Sequence, residues 1–122
     1  MFFAQLEVGG NRNFSYVIAD DITKKAIVVD PAFQIHKVEE ILEKHDFELR
    51  YIIMTHSHDD HVNELPTLKQ KYPNAESVMI IATDFDVDIQ VEDETVWEMD
   101  EINLKFMHTP GHHKDSMCIL VN

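Results

Sequence analysis

Tyr51-Ile52-Ile53-Met54-Thr55-His56-Ser57-His58-Asp59-Asp60-His61 is the stretch on which the reading of this chain turns. Its first four residues form an apolar run that predicts a buried strand. The seven that follow place three imidazoles and two carboxylates in a polar loop. A strand that ends in this way delivers side chains to one edge of a sheet, and in open α/β sheets ligands bind outside the carboxyl ends of strands. Residues two apart in an extended segment point the same way, so His56, His58 and Asp60 can converge while His61 turns aside. Neutral imidazole and carboxylate suit zinc, iron or manganese, and the loop has no thiolate to favour copper(I). A solvated histidine-rich loop without metal does not account for the strand-end position, the i/i+2 spacing and the added Asp-His pair occurring together.

Working back from the loop, the strand covers Leu49 to Met54 and is preceded by an amphipathic helix from about Gln34 to Asp46. There Ile35, Val38, Ile41 and Leu42 fall on one stripe, and His36 and His45 lie off it as solvated residues. A strand at Lys25–Val29 is stopped by Asp30-Pro31. Phe3–Val8 and Phe14–Ala19 predict a hairpin around the turn-rich residues 9–13. Strand, helix and strand in succession begin a layered α/β arrangement.

Working forward, a second helix is expected from roughly Val62 to Lys71, with Asp59 or Asp60 able to cap its N-terminus. Ser77–Ala82 predicts a strand by its unbroken apolar run. Thr83–Glu94 is acidic and poorly patterned, a solvated loop or edge strand; it lacks the glycine and terminal glutamate of a calcium loop. Thr95–Met99 and Ile102–Met107 predict strands joined at Asp100-Glu101, with Ile102, Leu104, Phe106 and His108 on one face. Trp97 and the six methionines are expected in or at the edge of the core. A second cluster, His108-Thr109-Pro110-Gly111-His112-His113-Lys114-Asp115-Ser116, again follows a strand, and its Pro-Gly turn presents His112. Met117–Val121 is then a last strand.

The 122 residues suit one compact domain. A net charge of −13 argues against a nucleic-acid or anionic-membrane partner, both of which need a positive face, but not against bound cations. Cys118 is the one cysteine, so no internal disulfide marks an oxidising compartment, and the cytoplasm is the expected location. Neither a signal peptide nor a membrane span is expected from the apolar pattern.

The two histidine clusters together resemble the metallo-β-lactamase superfamily. Its Thr-His-x-His-x-Asp-His signature is matched by Thr55 to His61, and its later Thr-Pro-Gly-His by Thr109 to His112. The hairpin, the Asp30-Pro31 strand end and the element order resemble the branch that holds hydroxyacylglutathione hydrolases and persulfide dioxygenases. The resemblance implies an αββα sandwich of which this chain is about the first αβ half, a mixed sheet with two helices. It implies that His56, His58 and His112 hold one metal ion and that Asp60 and His61 serve a second, with Asp60 also orienting a metal-held hydroxide. Zinc, as one or two ions, is the expected cofactor, with iron the alternative. The implied chemistry is hydrolysis of a small thioester or other glutathione-derived substrate; iron-dependent persulfide oxidation, or a metal-binding half-domain without activity of its own, are the alternatives. His113 is expected to be exposed and His108 packed or behind the ligands.

The sequence also departs from that family. Val62-Asn63-Glu64 replace the small Gly-Gly that commonly follows the motif, and residues between Ala82 and Val91 leave little room for the usual helix. The family's later aspartate in a Gly-Asp context, and a further histidine, have no counterpart in residues 1–122. Three expectations follow: a truncated domain completed by its missing half, a homo-oligomer in which a second copy covers the open sheet face, or Asp115 standing in as a ligand.

Overall fold

The structure is a computed structural model that describes residues 1–7, 14–31, 35–55, 65–81, 83, 86–109 and 117–122. Six strands form one mixed sheet in the order of the chain: β1 (Phe2–Glu7), β2 (Phe14–Ala19), β3 (Lys25–Val29), β4 (Glu48–Ile53), β5 (Glu76–Ile80) and β6 (Ile89–Val91). The first three are antiparallel neighbours, and from β3 onward the pairing is parallel. Parallel neighbours need a crossover. Helix α1 (His36–Lys44) lies between β3 and β4 in the chain, and α2 (Leu65–Lys71) between β4 and β5. A smaller antiparallel sheet follows, β7 (Val96–Met99), β8 (Ile102–His108) and β9 (Met117–Val121).

The apolar runs of β3 and β4 are explained by burial on both faces. On β3, Ala26 and Val28 point into one core with Val38 and Leu42 of α1 and Leu68 of α2, while Ile27 and Val29 point into a second core with Ile102, Leu104 and Phe106 of β8. The large sheet is therefore the middle layer, with helices on one side and the small sheet on the other. Trp97 packs between Tyr51 and Phe106, with ring centroids 5.1 and 5.0 Å away. Met54, Met79, Met99 and Met117 are buried as expected; Met1 is exposed.

Two expectations change and one, the loop or edge strand of the acidic stretch, is narrowed to the edge strand. Helix α1 is shorter than the predicted 34–46 because its end is fixed by backbone geometry: Asp46 takes φ 56°, Phe47 N–H donates to Leu42 O at 2.9 Å and Asp46 N–H to Glu43 O at 3.2 Å. These are the paired bonds that close a helix through a left-handed residue. His45 is half-buried and stacked, not a solvated residue, with its ring 4.6 Å from Phe2 and 5.3 Å from Phe47. Within the acidic stretch, Ile89–Val91 adds a parallel edge strand with Val91 buried, anchored by Asp88, whose carboxylate accepts from Ser77 N–H at 2.9 Å and pairs with Lys69.

Candidate metal centre

Asp30 follows β3, Thr55 follows β4 by two residues, and Met117 opens β9. Asp30 adopts φ 55°, and it stands before Pro31, a position that normally restricts a residue to the extended region. A non-glycine residue held there costs on the order of 1–3 kcal/mol and persists only where its surroundings enforce it. The enforcing contacts are present. Asp30 N–H donates to Ile53 O at 2.8 Å, and Ser15 Oγ, fully buried, donates to Asp30 O at 2.6 Å. Thr55 N–H donates to Asp30 Oδ1 at 2.7 Å, and Thr55 Oγ1 donates to Asp30 Oδ2 at 2.6 Å. Both carboxylate oxygens, 25 residues away in sequence, thus grip the residue that immediately precedes His56.

Thr55 also faces the other way. Its carbonyl accepts from Met117 N–H at 2.8 Å, a main-chain bond that joins the end of β4 in the large sheet to the start of β9 in the small one. Met117 is the first described residue after the loop that carries His112. The stems of both histidine-bearing loops therefore meet at one edge of the sandwich.

The expected metal ligands His56, His58, Asp60, His61 and His112 lie outside the described residues, as do His113 and Asp115. Among the described residues there is no cluster of three or more His, Cys, Asp or Glu side chains able to hold an ion. The donors that the two loops carry, imidazoles and a carboxylate, are those that zinc or iron takes. His108 is half-buried at the end of β8, and its N–H donates to Asp93 Oδ1 at 2.7 Å. Beside the Asp30–Thr55 contact a cavity of about 220 Å³ opens between the sheets, lined chiefly by Phe3, Tyr16, Ile18, Val29, Ile119 and Val121. Sequence reasoning took Asp30 as a strand stop shared with the family, Thr55 as the first residue of the histidine motif and Met117 as the start of a strand, and gave none of them, nor Ser15, a positioning role. An aspartate before proline at a strand end was the available signal for Asp30 and the motif for Thr55; Ser15 and Met117 have none.

A mixed sheet faced by helices on one side and by a second sheet on the other, with the stems of the two histidine-bearing segments at one edge, defines a layered α/β sandwich. The profile of the metallo-beta-lactamase superfamily matches residues 8–81, more than half of the chain, and the protein belongs to that superfamily. It is 36% identical over 110 residues to the hydroxyacylglutathione hydrolase of Pelagibacter ubique, covering 87% of this chain and 45% of the relative. It is 35% identical over 115 residues to a probable polyketide biosynthesis zinc-dependent hydrolase, BaeB, of Bacillus velezensis, covering 90% of this chain and 51% of the relative. The crystal structure of ETHE1 from Myxococcus xanthus superimposes with a TM-score of 0.89 at 25% identity, covering 99% of this chain and 54% of that one. The chain thus spans about half the length of the relatives it matches, and its fold is the corresponding half of the metallo-β-lactamase fold.

Proposed function

We propose that the chain is the metal-binding half of a cytoplasmic metal-dependent hydrolase acting on thioesters of the hydroxyacylglutathione type. The observation that carries this reading is the Thr55–Met117 bond, which joins the stems of the two loops bearing the full Thr-His-x-His-x-Asp-His and Thr-Pro-Gly-His motifs. The names of the two relatives, both hydrolases and one zinc-dependent, support it. His56, His58 and His112 would hold the first zinc ion, and Asp60 and His61 would serve a second. Bound zinc supplies a Lewis acid for the carbonyl and lowers the pKa of a water toward neutrality. Asp60, acceptor-only when ionised, would orient that water, and the Asp30–Thr55 grip would hold the first turn of the loop against recoil.

The test is cleavage of a hydroxyacylglutathione thioester with and without added zinc. A zinc-dependent rate that disappears in His58→Ala is expected; a rate no higher than background leaves a metal-binding half-domain without activity of its own. Iron in the purified protein, with oxygen consumed on glutathione persulfide, would replace hydrolysis by persulfide oxidation.

Association belongs to the same reading. Strand β9 ends the small sheet, and the mutual bonds of Asn103 and Asn122, at 3.0 and 2.9 Å, set the alternation by which Ile119 and Val121 turn their main-chain groups outward. The strand carries no charge and no proline, the usual guards of an open edge, and its own Leu120 and Phe3 on the cavity wall are each more than half exposed. A second copy of the chain, or the complementary half of such a domain, would pair there. Light scattering on a gel-filtration column should show a dimer when the chain is alone; a stable soluble monomer removes the second copy.

A further inference from the structure

We propose that Thr55 is a positioning residue that couples the two ligand-bearing loops, held by Asp30 on one side and holding Met117 on the other. The proposal rests on the metal reading above but concerns residues that are not ligands. The second cluster could reach the first in many arrangements, because β9 belongs to a different sheet from β4. What limits the choice is a chain of contacts that runs through one residue. Ser15 on β2 holds the carbonyl of Asp30, the Asp30 carboxylate holds the amide and hydroxyl of Thr55, and the carbonyl of Thr55 holds the amide of Met117.

The geometry gives the coupling a direction. The Thr55 peptide carbonyl belongs to the same planar unit as the His56 amide, so a shift of Met117 acts on the peptide plane from which His56 departs. With the Asp30 carboxylate gripping both polar groups on the other side of Thr55, that plane cannot rotate freely to follow. The spacing of the two loop stems, Thr55 and Met117, is therefore set by a main-chain bond, and under the metal reading the ligands that follow Thr55 and precede Met117 start from that fixed spacing. Outer contacts of this kind are worth about 10–100-fold in metal affinity.

Three variants of the full chain test it. Thr55→Val keeps the shape and removes the hydroxyl that grips Asp30. Thr55→Ser keeps the hydroxyl. Met117→Pro removes the amide that meets Thr55 together with a buried side chain, without touching the β8–β9 ladder, in which by its alternation that N–H takes no part, and proline is accepted at the first residue of an edge strand. Zinc affinity by chelator competition should fall about 10–100-fold in Thr55→Val and in Met117→Pro, and return in Thr55→Ser. Cobalt(II) bound to the weakened variants should lose visible absorption intensity as its coordination departs from tetrahedral, a change that a loss of stability alone does not produce. Exchange of the Met117 amide in the metal-free chain should quicken in Thr55→Val, a readout that stands even if Met117→Pro does not fold or the wild-type chain binds no zinc. Slow Met117 exchange retained in Thr55→Val, or wild-type zinc affinity in both folded variants, overturns the coupling. Absence of zinc binding in the wild-type chain would instead remove the metal reading.

Discussion

The two ends of the sandwich are each tied by an aspartate that directly follows a strand, and they do opposite things with it. Asp20, after β2, accepts from Ile22 and Thr23 N–H at 2.8 and 3.0 Å, which closes its own turn, and from Glu101 N–H at 3.1 Å across the sheets. Asp30, after β3, directs both carboxylate oxygens to Thr55, far along the chain. Around Asp20 the remaining ties are main-chain bonds of its own hairpin, Asp20 N–H to Lys25 O at 3.0 Å and Lys24 N–H to Asp20 O at 2.9 Å, and exposed side chains, Thr23 Oγ1 to Asp100 Oδ2 at 2.9 Å and Lys25 Nζ to Asp100 Oδ2 at 3.5 Å. Around Asp30 they reach other strands, Asp30 N–H to Ile53 O on β4 and Ser15 Oγ on β2 to Asp30 O. An aspartate whose partners are two and three residues away shapes a turn; one whose partner precedes a histidine loop from another strand positions that loop.

The largest effect should come from breaking the site end. Asp30→Ala leaves the Thr55 amide and hydroxyl without their acceptor while φ stays unfavourable for alanine, and it should cost about 3 kcal/mol in denaturant unfolding together with a loss of zinc affinity. Next comes Asp20→Ala, which should lower the melting temperature of the metal-free chain and leave zinc affinity at the wild-type value. A fall in zinc affinity equal to that of Asp30→Ala would erase the distinction between the ends.

Acid should weaken the end away from the histidine loops. Bonds from Thr23, Glu101 and Ile22 amides hold the Asp20 carboxyl below its ordinary value of 3.8, and at the far rim of the large sheet the Lys69 ammonium and Ser77 amide hold Asp88 below it as well. Both carboxylates are depressed in the folded state, so the stability they contribute is fully present above about pH 4 and is lost as pH falls through the lower folded values. A plot of stability against pH should therefore fall below pH 4, and Asp20→Asn should flatten part of that fall; an unchanged slope would contradict the assignment. Thr23→Val, which deletes a solvent-exposed bond to Asp100, is the smallest effect, a few tenths of a kcal/mol in urea unfolding.

Much of this architecture is legible in the residues. Lys25–Val29 and Met117–Val121 are bounded as expected because turn residues or a Pro-containing loop punctuate them, and local steric rules suffice there. Local rules fail where tertiary contacts decide. Ile89–Val91 is too short and too acidic in its surroundings to declare itself, and becomes a strand because β5 offers an open edge and Asp88 pins it to Ser77. Helix α1 stops at Lys44, short of the expected Asp46, because Asp46 accepts a left-handed conformation that no periodicity encodes. At the site, the motifs announce donor chemistry through residue type and spacing alone. The frame that presents them does not, since Ser15, Asp30, Thr55 and Met117 are ordinary residues until β2, β3, β4 and β9 are brought together.

The most direct test is a zinc titration of the full chain and of His56→Ala and His112→Ala, one ligand from each loop. If both loops serve one ion, each substitution alone should abolish the same tight site, a loss larger than the 10–100-fold expected of supporting residues. Tight binding that survives His112→Ala unchanged would mean that the first loop binds alone, and would contradict the central claim that the two sheet-end loops are joined into one metal centre.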